Sequence, residues 1–328
     1  MSEFDPKAIA EELADLIVQL SDGTDFAKGI SAPLMNVLLV GKTEERNPLK
    51  YAEIFRLAAS KVDSSSWMHF ACRSEEINGK RRAKDADMPA LVLELDRLVA
   101  EANGQLPNTK ERNTLLGNVL WNIALVRRGL RQYSEAAAAQ RQSSAWYGLA
   151  GNVEKQLIGL FAAQSEDVTA AFVSGNDDLI AKSCKALIAA RDHVAYALPV
   201  YPGWMKDNAP LSIAWALTMG QLARIEVDRP DNDDFLAGGQ SRFPQWAKVF
   251  NVFATYDAGA YEETAALVPV DLPSSSGDNA ALTVQIVVAL AEQQLGLMDK
   301  AKARLTAVAS HQGPDGGIPM AVAKRLLA

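Results

Sequence analysis

Gly41-Lys42-Thr43 is the first stretch whose residue types could do chemistry, since a lysine and a hydroxyl placed after a glycine suit a nucleotide's phosphates. Such a loop needs a second glycine five residues earlier, so that backbone N–H groups curl around the phosphates before the lysine reaches them. That position is Asn36, and Leu38-Leu39-Val40 runs straight into Gly41. ATP and GTP binding is therefore not expected here. Downstream, Asn47-Pro48 reads as the cap and first turn of a new helix.

The remaining reactive types are sparse. There are 3 histidines, His69, His193 and His311, and 2 cysteines, Cys72 and Cys184. No H-E-x-x-H, C-x-x-C or G-x-S-x-G pattern occurs. His69 and Cys72 stand three apart, a spacing that lets an imidazole lower a thiol pKa on one helical face. With no third group to orient them, they read as a half-buried histidine beside a core cysteine. Asp228, Asp231, Asp233 and Asp234 suggest calcium, yet no glycine stands at the sixth place of a loop and no glutamate at the twelfth, so a solvated acidic loop is expected. Lys80, Arg81, Arg82 and Lys84 form the one dense basic run, diluted at once by Asp85 and Asp87. It reads as a surface loop, because a short run gives few phosphate contacts. No catalytic residue, metal ligand or cofactor site is assigned.

Composition narrows the classes further. The 328 residues are 48% hydrophobic and 22% charged, with a formal net charge of −7. Such a chain can bury a sizeable core, and its acidic balance argues against an extended nucleic-acid surface or attraction to anionic lipid. The start "MSEFDPKAIAEELADL" lacks the basic residues and apolar core of a secretion signal, and the longest apolar run, "ALTVQIVVALA", is too short to cross a membrane. Two cysteines make no disulfide framework. A cytoplasmic protein is expected.

The elements that would position any site are helices. Asp5 and Pro6 open an amphipathic segment carrying Ile9, Leu13, Leu16, Ile17 and Leu20 on one face, and "MPALVLELDRLVAEANG" closes on Gly104, a residue type suited to a left-handed stop. Eight further segments follow: Lys110–Arg128, Tyr133–Leu149, Val153–Val173, Asp177–Leu198, Pro210–Val227, Pro244–Asp257, Asn279–Leu295 and Lys300–Ser310. Short connections favour antiparallel hairpins. Three stretches break the periodicity: "SSSWMHFACRSEEINGKRRAKDAD", "VDRPDNDDFLAGGQSR" and "DLPSSSGD". The first suggests a boundary between an N-terminal helical cluster, residues 1–84, and a main array, residues 85–328.

Three hairpins share a turn: "RRGLRQYSEAAAAQ" with Tyr133, Glu135 and Ala136, "YDAGAYEETAAL" with Gly259 and Tyr261, and "EQQLGLMDKAKARL" with Gly296, Met298 and Ala301. This turn resembles that of the tetratricopeptide repeat, and Val288-Ala289 with Ala301, Leu305 and Val308, or Ile123-Ala124 with Ala136, match its packing positions. Arg127, Glu292 and Gln140 depart from the pattern, standing where large apolar or aromatic residues are usual, and the proline expected after the second helix is absent at Gly148. The resemblance covers about a third of the chain. It implies an all-α fold of antiparallel hairpins stacked as a solenoid, with first helices lining a concave face. On that face Trp121, Leu125 and Arg128 would meet a partner, and Trp and Arg are over-represented among binding hot spots. "ALPVYPGWMKD" reads as a loop offering Tyr201 and Trp204 as a second anchor. The expected function is a non-enzymatic protein–protein interaction scaffold or adaptor, part of a larger assembly or paired with itself. An all-helical enzyme and an RNA-associated helical protein using the Lys80–Lys84 run are the alternatives.

Overall fold

Asn47 caps the first helix described here, its side chain accepting from the Lys50 N–H while Pro48 fills the first turn, as the sequence predicts. The structure is a computed structural model that describes residue 11 and residues 47–200, 202–227, 244–267, 278–311 and 316–328. Every element in these residues is an α-helix, and no strand occurs among them. In chain order they are α1 (Pro48–Lys61), α2 (Trp67–Arg81), α3 (Met88–Gln105), α4 (Lys110–Gly129), α5 (Tyr133–Leu149), α6 (Val153–Ser174) and α7 (Asp177–Ala197). Then follow α8 (Gly203–Leu222), α9 (Pro244–Asp257), α10 (Tyr261–Ala266), α11 (Asp278–Gln294), α12 (Met298–Ala309) and α13 (Gly317–Leu327). Two compact units divide between Leu160 and Phe161, within α6.

In the first unit α1 to α5 share one core. Tyr51 and Phe55 of α1, Phe70 of α2, Leu95 and Leu98 of α3 and Leu116 of α4 are fully buried in a single cluster that extends to Ala139 of α5. Burying each such side chain contributes about 1.5–3 kcal/mol. The stretch read as a break and boundary, "SSSWMHFACRSEEINGKRRAKDAD", mostly forms α2, capped by Ser66 and packed on α1, α3 and α4. The 80–87 segment thus lies inside the first unit, with the shared core on both sides of it. α2 looks polar because Ser74 and Asn78 are buried without being apolar, and because Gly79 serves close packing. A Cβ on Gly79 would come within 2.9 Å of the Ala52 backbone nitrogen.

In the second unit α11 is central, touching α9, α10, α12 and α13, while α12 packs on α13 and α7 on α8. Val284, Ile286, Val287 and Val288 of α11 are all buried. α8 starts at Gly203 and carries Pro210 within it, so the Trp204 region belongs to a helix rather than a loop. α13, whose Gly316-Gly317 and Pro319 disguise its start, was not expected from periodicity.

One stop recurs between helices. Arg131 (φ 60), Gly151 (φ 75), Arg224 (φ 58), Gly259 (φ 79) and Gly296 (φ 76) are all left-handed. After each, the next N–H reaches the carbonyl five residues back: Gln132 to Arg127, Asn152 to Tyr147, Ile225 to Gly220, Ala260 to Thr255 and Leu297 to Glu292, at 2.8–3.1 Å. This satisfies carbonyls that the helix end would orphan. In four cases the following helix starts two residues after the left-handed one, at Tyr133, Val153, Tyr261 and Met298. Gly104, by contrast, is not left-handed: α3 runs past it to Gln105, and Leu106 caps the helix in extended conformation. The N-terminal segment Asp5–Leu20 apart from Glu11, Gly41-Lys42-Thr43 and Asp228, Asp231, Asp233 and Asp234 lie outside the described residues.

Candidate functional site

α4 is the most enclosed helix of the first unit, held by α2, α3 and α5. Leu115, Leu116, Val119, Leu120, Ile123, Ala124 and Val126 are buried. At helical spacing of three and four, Glu111, Thr114, Asn118, Trp121, Leu125 and Arg128 are each only partly buried, so α4 keeps one partly accessible stripe. Trp121, Leu125 and Arg128, singled out in the sequence, fall together on it. Trp121 is half-buried at that face and is not part of the core cluster.

One end of the stripe is pinned by hydrogen bonds. Tyr147 of α5 donates from Oη to Asn118 Oδ1 (2.7 Å), and Lys155 Nζ, in the first turn of α6, lies 3.4 Å from the same oxygen and 5.1 Å from the Tyr147 ring centroid. Burial holds the Tyr147 phenol well above its ordinary range, so it acts as a neutral donor. The ring is wedged against Gly117, where a Cβ would come within 2.8 Å of it, and Ser143 Oγ donates to the Gly117 carbonyl (2.7 Å). These contacts hold α5 close against α4 at Gly117.

At the other end the charge is positive. Asn122 Nδ2 donates to Ser74 Oγ (3.3 Å), aligning α4 with α2, and two turns further along both helices come Arg128 and Arg81. Arg81 is half-buried, its Nη2 donating to Asn78 Oδ1 (2.9 Å) while its buried Nε has no hydrogen-bond partner. Burial, with Arg82 and Arg128 beside it, pulls its pKa down to about 10, which leaves it charged at neutral pH. The carboxylate that counters this, Glu75, already accepts from Tyr51 Oη (2.5 Å) and Asn78 Nδ2 (3.3 Å). Arg81 was read as loop charge; nothing in residue type alone shows that it closes α2 and turns inward.

The other candidates have surroundings of their own. His69 Nδ1 is 2.9 Å from the Ala59 carbonyl, and burial pushes the Cys72 thiol up to about 12, so the pair supplies no thiolate. Lys80 is held by Glu76 (2.8 Å) and Glu94 (3.3 Å), which leaves little of the basic run for phosphates. Trp204 belongs to the first turn of α8, and Tyr201 lies outside the described residues. In the second unit a cleft of about 350 Å³ is lined by Phe172, Ile180, Ala223, Ile225 and Val322. Arg325 at its edge is paired with Asp177 (2.8 Å). Among the described residues no group of acidic, histidine or cysteine side chains could hold a metal ion, and no helix is long and apolar enough to cross a membrane. No protein-family model matches the chain, and comparison with curated proteins and with solved structures finds no match either.

Proposed function

We propose that the chain is a non-enzymatic protein–protein interaction scaffold, built of tetratricopeptide-like hairpins, whose partner docks along the α4 stripe through Trp121, Leu125 and Arg128. The observation that carries this reading is the stripe itself: one partly accessible line of mixed aromatic, aliphatic and cationic side chains on a helix held by α2, α3 and α5. An aromatic anchor on rigid backbone loses little conformational entropy on binding. The repeat reading draws support from the shared left-handed turn and from the burial of Ile123, Ala124 and Ala136, and of Val288, Ala289, Ala301, Leu305 and Val308, at the packing positions of the two best hairpins. In both units alternate helices also touch, α2 with α4 and α9 with α11, as stacked hairpins require.

Site-specific photo-crosslinking tests it. A benzophenone side chain at Trp121 or Leu125 is expected to capture a partner protein in cells, or a second copy of the chain. The same group at Glu135, exposed on α5, is expected to capture neither. Equal capture at all three positions, or none at Trp121 and Leu125, refutes the assignment of this face.

A further inference from the structure

The cleft of the second unit has walls of one kind and a rim of another. The end of α6 supplies Phe172, the start of α7 Ile180, the stop after α8 Ile225, and α13 Val322, and all four are buried and apolar. Ile225 follows the left-handed Arg224 (φ 58), where the turn that ends α8 returns its N–H to the Gly220 carbonyl. At about 350 Å³ the space falls in the range of small-ligand sites, about 300–1,000 Å³, which are mostly apolar with few polar groups. The only polar side chains in its lining are two exposed cations, Lys324 and Arg325. They are not equivalent. Arg325 is bonded through both terminal nitrogens to Asp177 at the start of α7 (Nη2 to Oδ2 2.8 Å), which holds the Asp177 carboxyl below its ordinary range. Lys324 bonds no carboxylate among the described residues. A cation near the last carbonyls of α13 is favoured in any case, so position on the helix does not single out Lys324. Its place at the mouth of an apolar space does.

We infer that this cleft binds a small amphipathic monocarboxylate, its hydrocarbon chain among Phe172, Ile180, Ile225 and Val322 and its carboxylate at Lys324. The lining selects the class. Sugars and nucleobases need several donors and acceptors fixed in the wall, and the side chains of this wall offer none. A hydrocarbon chain needs none and gains by leaving water. An amine head would meet two cations, whereas a carboxylate gives Lys324 the partner it lacks. One ammonium suits a single negative charge. A phosphate monoester, carrying about two, would call on Arg325 as well, and Asp177 holds that residue. Asp177 is in turn answered by Arg325, and Asp178 beside it is exposed to water and is not part of the lining. The site does not depend on the α4 stripe being a docking face.

The test is isothermal titration calorimetry of the full chain with octanoate, and with octanol and octylamine as probes that keep the hydrocarbon chain and change the head. Octanoate is expected to bind about two- to fivefold more tightly than octanol, the range of one exposed ion pair, with the difference shrinking as salt is raised, and octylamine to bind least. Lys324→Gln should remove that difference and leave octanol binding unchanged. Asp177→Asn, which frees Arg325 at the mouth, should tighten octanoate by a similar factor. Ala321→Leu narrows the cleft and should weaken octanoate and octanol together. Val173→Glu, at a lining position 53% exposed, sets a like charge at the wall and should weaken octanoate alone, and it carries the test if Ala321→Leu alters the melting curve. No binding of octanoate, binding no tighter than that of octanol, a preference that survives Lys324→Gln, or unchanged affinity in Asp177→Asn overturns the inference. Octanoate binding untouched by both Ala321→Leu and Val173→Glu puts the ligand outside this cleft and overturns it as well.

Discussion

Removing Arg304 should destabilise the second unit far more than removing its partner, Glu292. The pair joins α12 to α11: Arg304 Nε donates to Oε2 (3.1 Å) and Nη2 to Oε1 (2.9 Å), while Nη1 donates to Gln285 Oε1. The Glu292 side chain is 5% exposed and that of Arg304 21%. In Arg304→Met the carboxylate loses both bonds from that guanidinium beside buried Val288, Ala289 and Leu305, and a buried pair broken from one side costs about 3–5 kcal/mol. In Glu292→Leu the guanidinium keeps Gln285 and reaches water, so the loss is nearer that of one charged hydrogen bond, about 1.5–3 kcal/mol. The double variant should recover much of the loss, because apolar pairs of similar volume often replace buried ion pairs without penalty. Urea unfolding of the full chain, followed by circular dichroism and tryptophan fluorescence, reads this directly. At an m-value of about 2 kcal/mol/M, Arg304→Met lowers the relevant midpoint by roughly 1.5–2.5 M. Equal losses for the two single variants, or a double variant worse than Arg304→Met, would refute the reasoning.

Two further outcomes follow from backbone and burial. Gly296→Ala adds a Cβ that touches nothing yet holds an L-residue at φ 76, so it should cost about 1–2 kcal/mol, while Gly104→Ala, equally uncrowded but helical, should gain about 0.5–1 kcal/mol; the same urea titration compares them, and equal shifts would sink the turn assignment. Cys72 and Cys184, whose burial pushes their thiols from 9.0 to about 12 and about 11, should resist a thiol-disulfide reagent in native protein near pH 8 and react on unfolding. Because their folded-state pKa values are raised, the stability they contribute is full below about pH 9 and falls as pH rises toward 11–12; a melting temperature that climbs across that window would contradict this.

Much of the architecture was legible because amphipathic periodicity survives wherever a helix has one apolar face. Tyr133–Leu149 and Pro244–Asp257 have the bounds read from the sequence, α4, α6 and α7 differ by one residue at one end, and α11 by one residue at each end. The readings failed where local punctuation and tertiary context disagree. Pro202, Gly203 and Pro210 look like a loop around Trp204, but Pro202 caps α8 and Pro210 is accommodated within it. Gly79 looks like a breaker and is a contact. Gly104 looks like a stop and is not one, whereas Arg131 and Arg224 take the left-handed position that sequence rules reserve for glycine. At Arg131 the left-handed turn joins α4 to α5, a constraint of the hairpin that no window of neighbouring residues encodes.

Polar residues at apolar positions carried the least legible information. Glu292 looked like a departure from the repeat pattern, yet Arg304 answers both its oxygens. Ser143 is fully buried and bonds the Gly117 carbonyl; Asn122 bonds Ser74; Thr283 Oγ1 accepts from Trp215 Nε1 (3.1 Å) and donates to the Asn279 carbonyl (2.6 Å). In each case a group withdrawn from water meets a partner from another turn or helix, so its conservation of the fold is sufficient reason for its presence. Arg81 fails this accounting. It is partly withdrawn from water, flanked by two like charges, and bonded to the neutral amide of Asn78. Arg112 shares the feature, its Nε being buried without a hydrogen-bond partner while its other nitrogens bond the Leu106 carbonyl and Asn108, so a guanidinium that closes or opens a helix here leaves one donor unmatched and satisfies the rest locally.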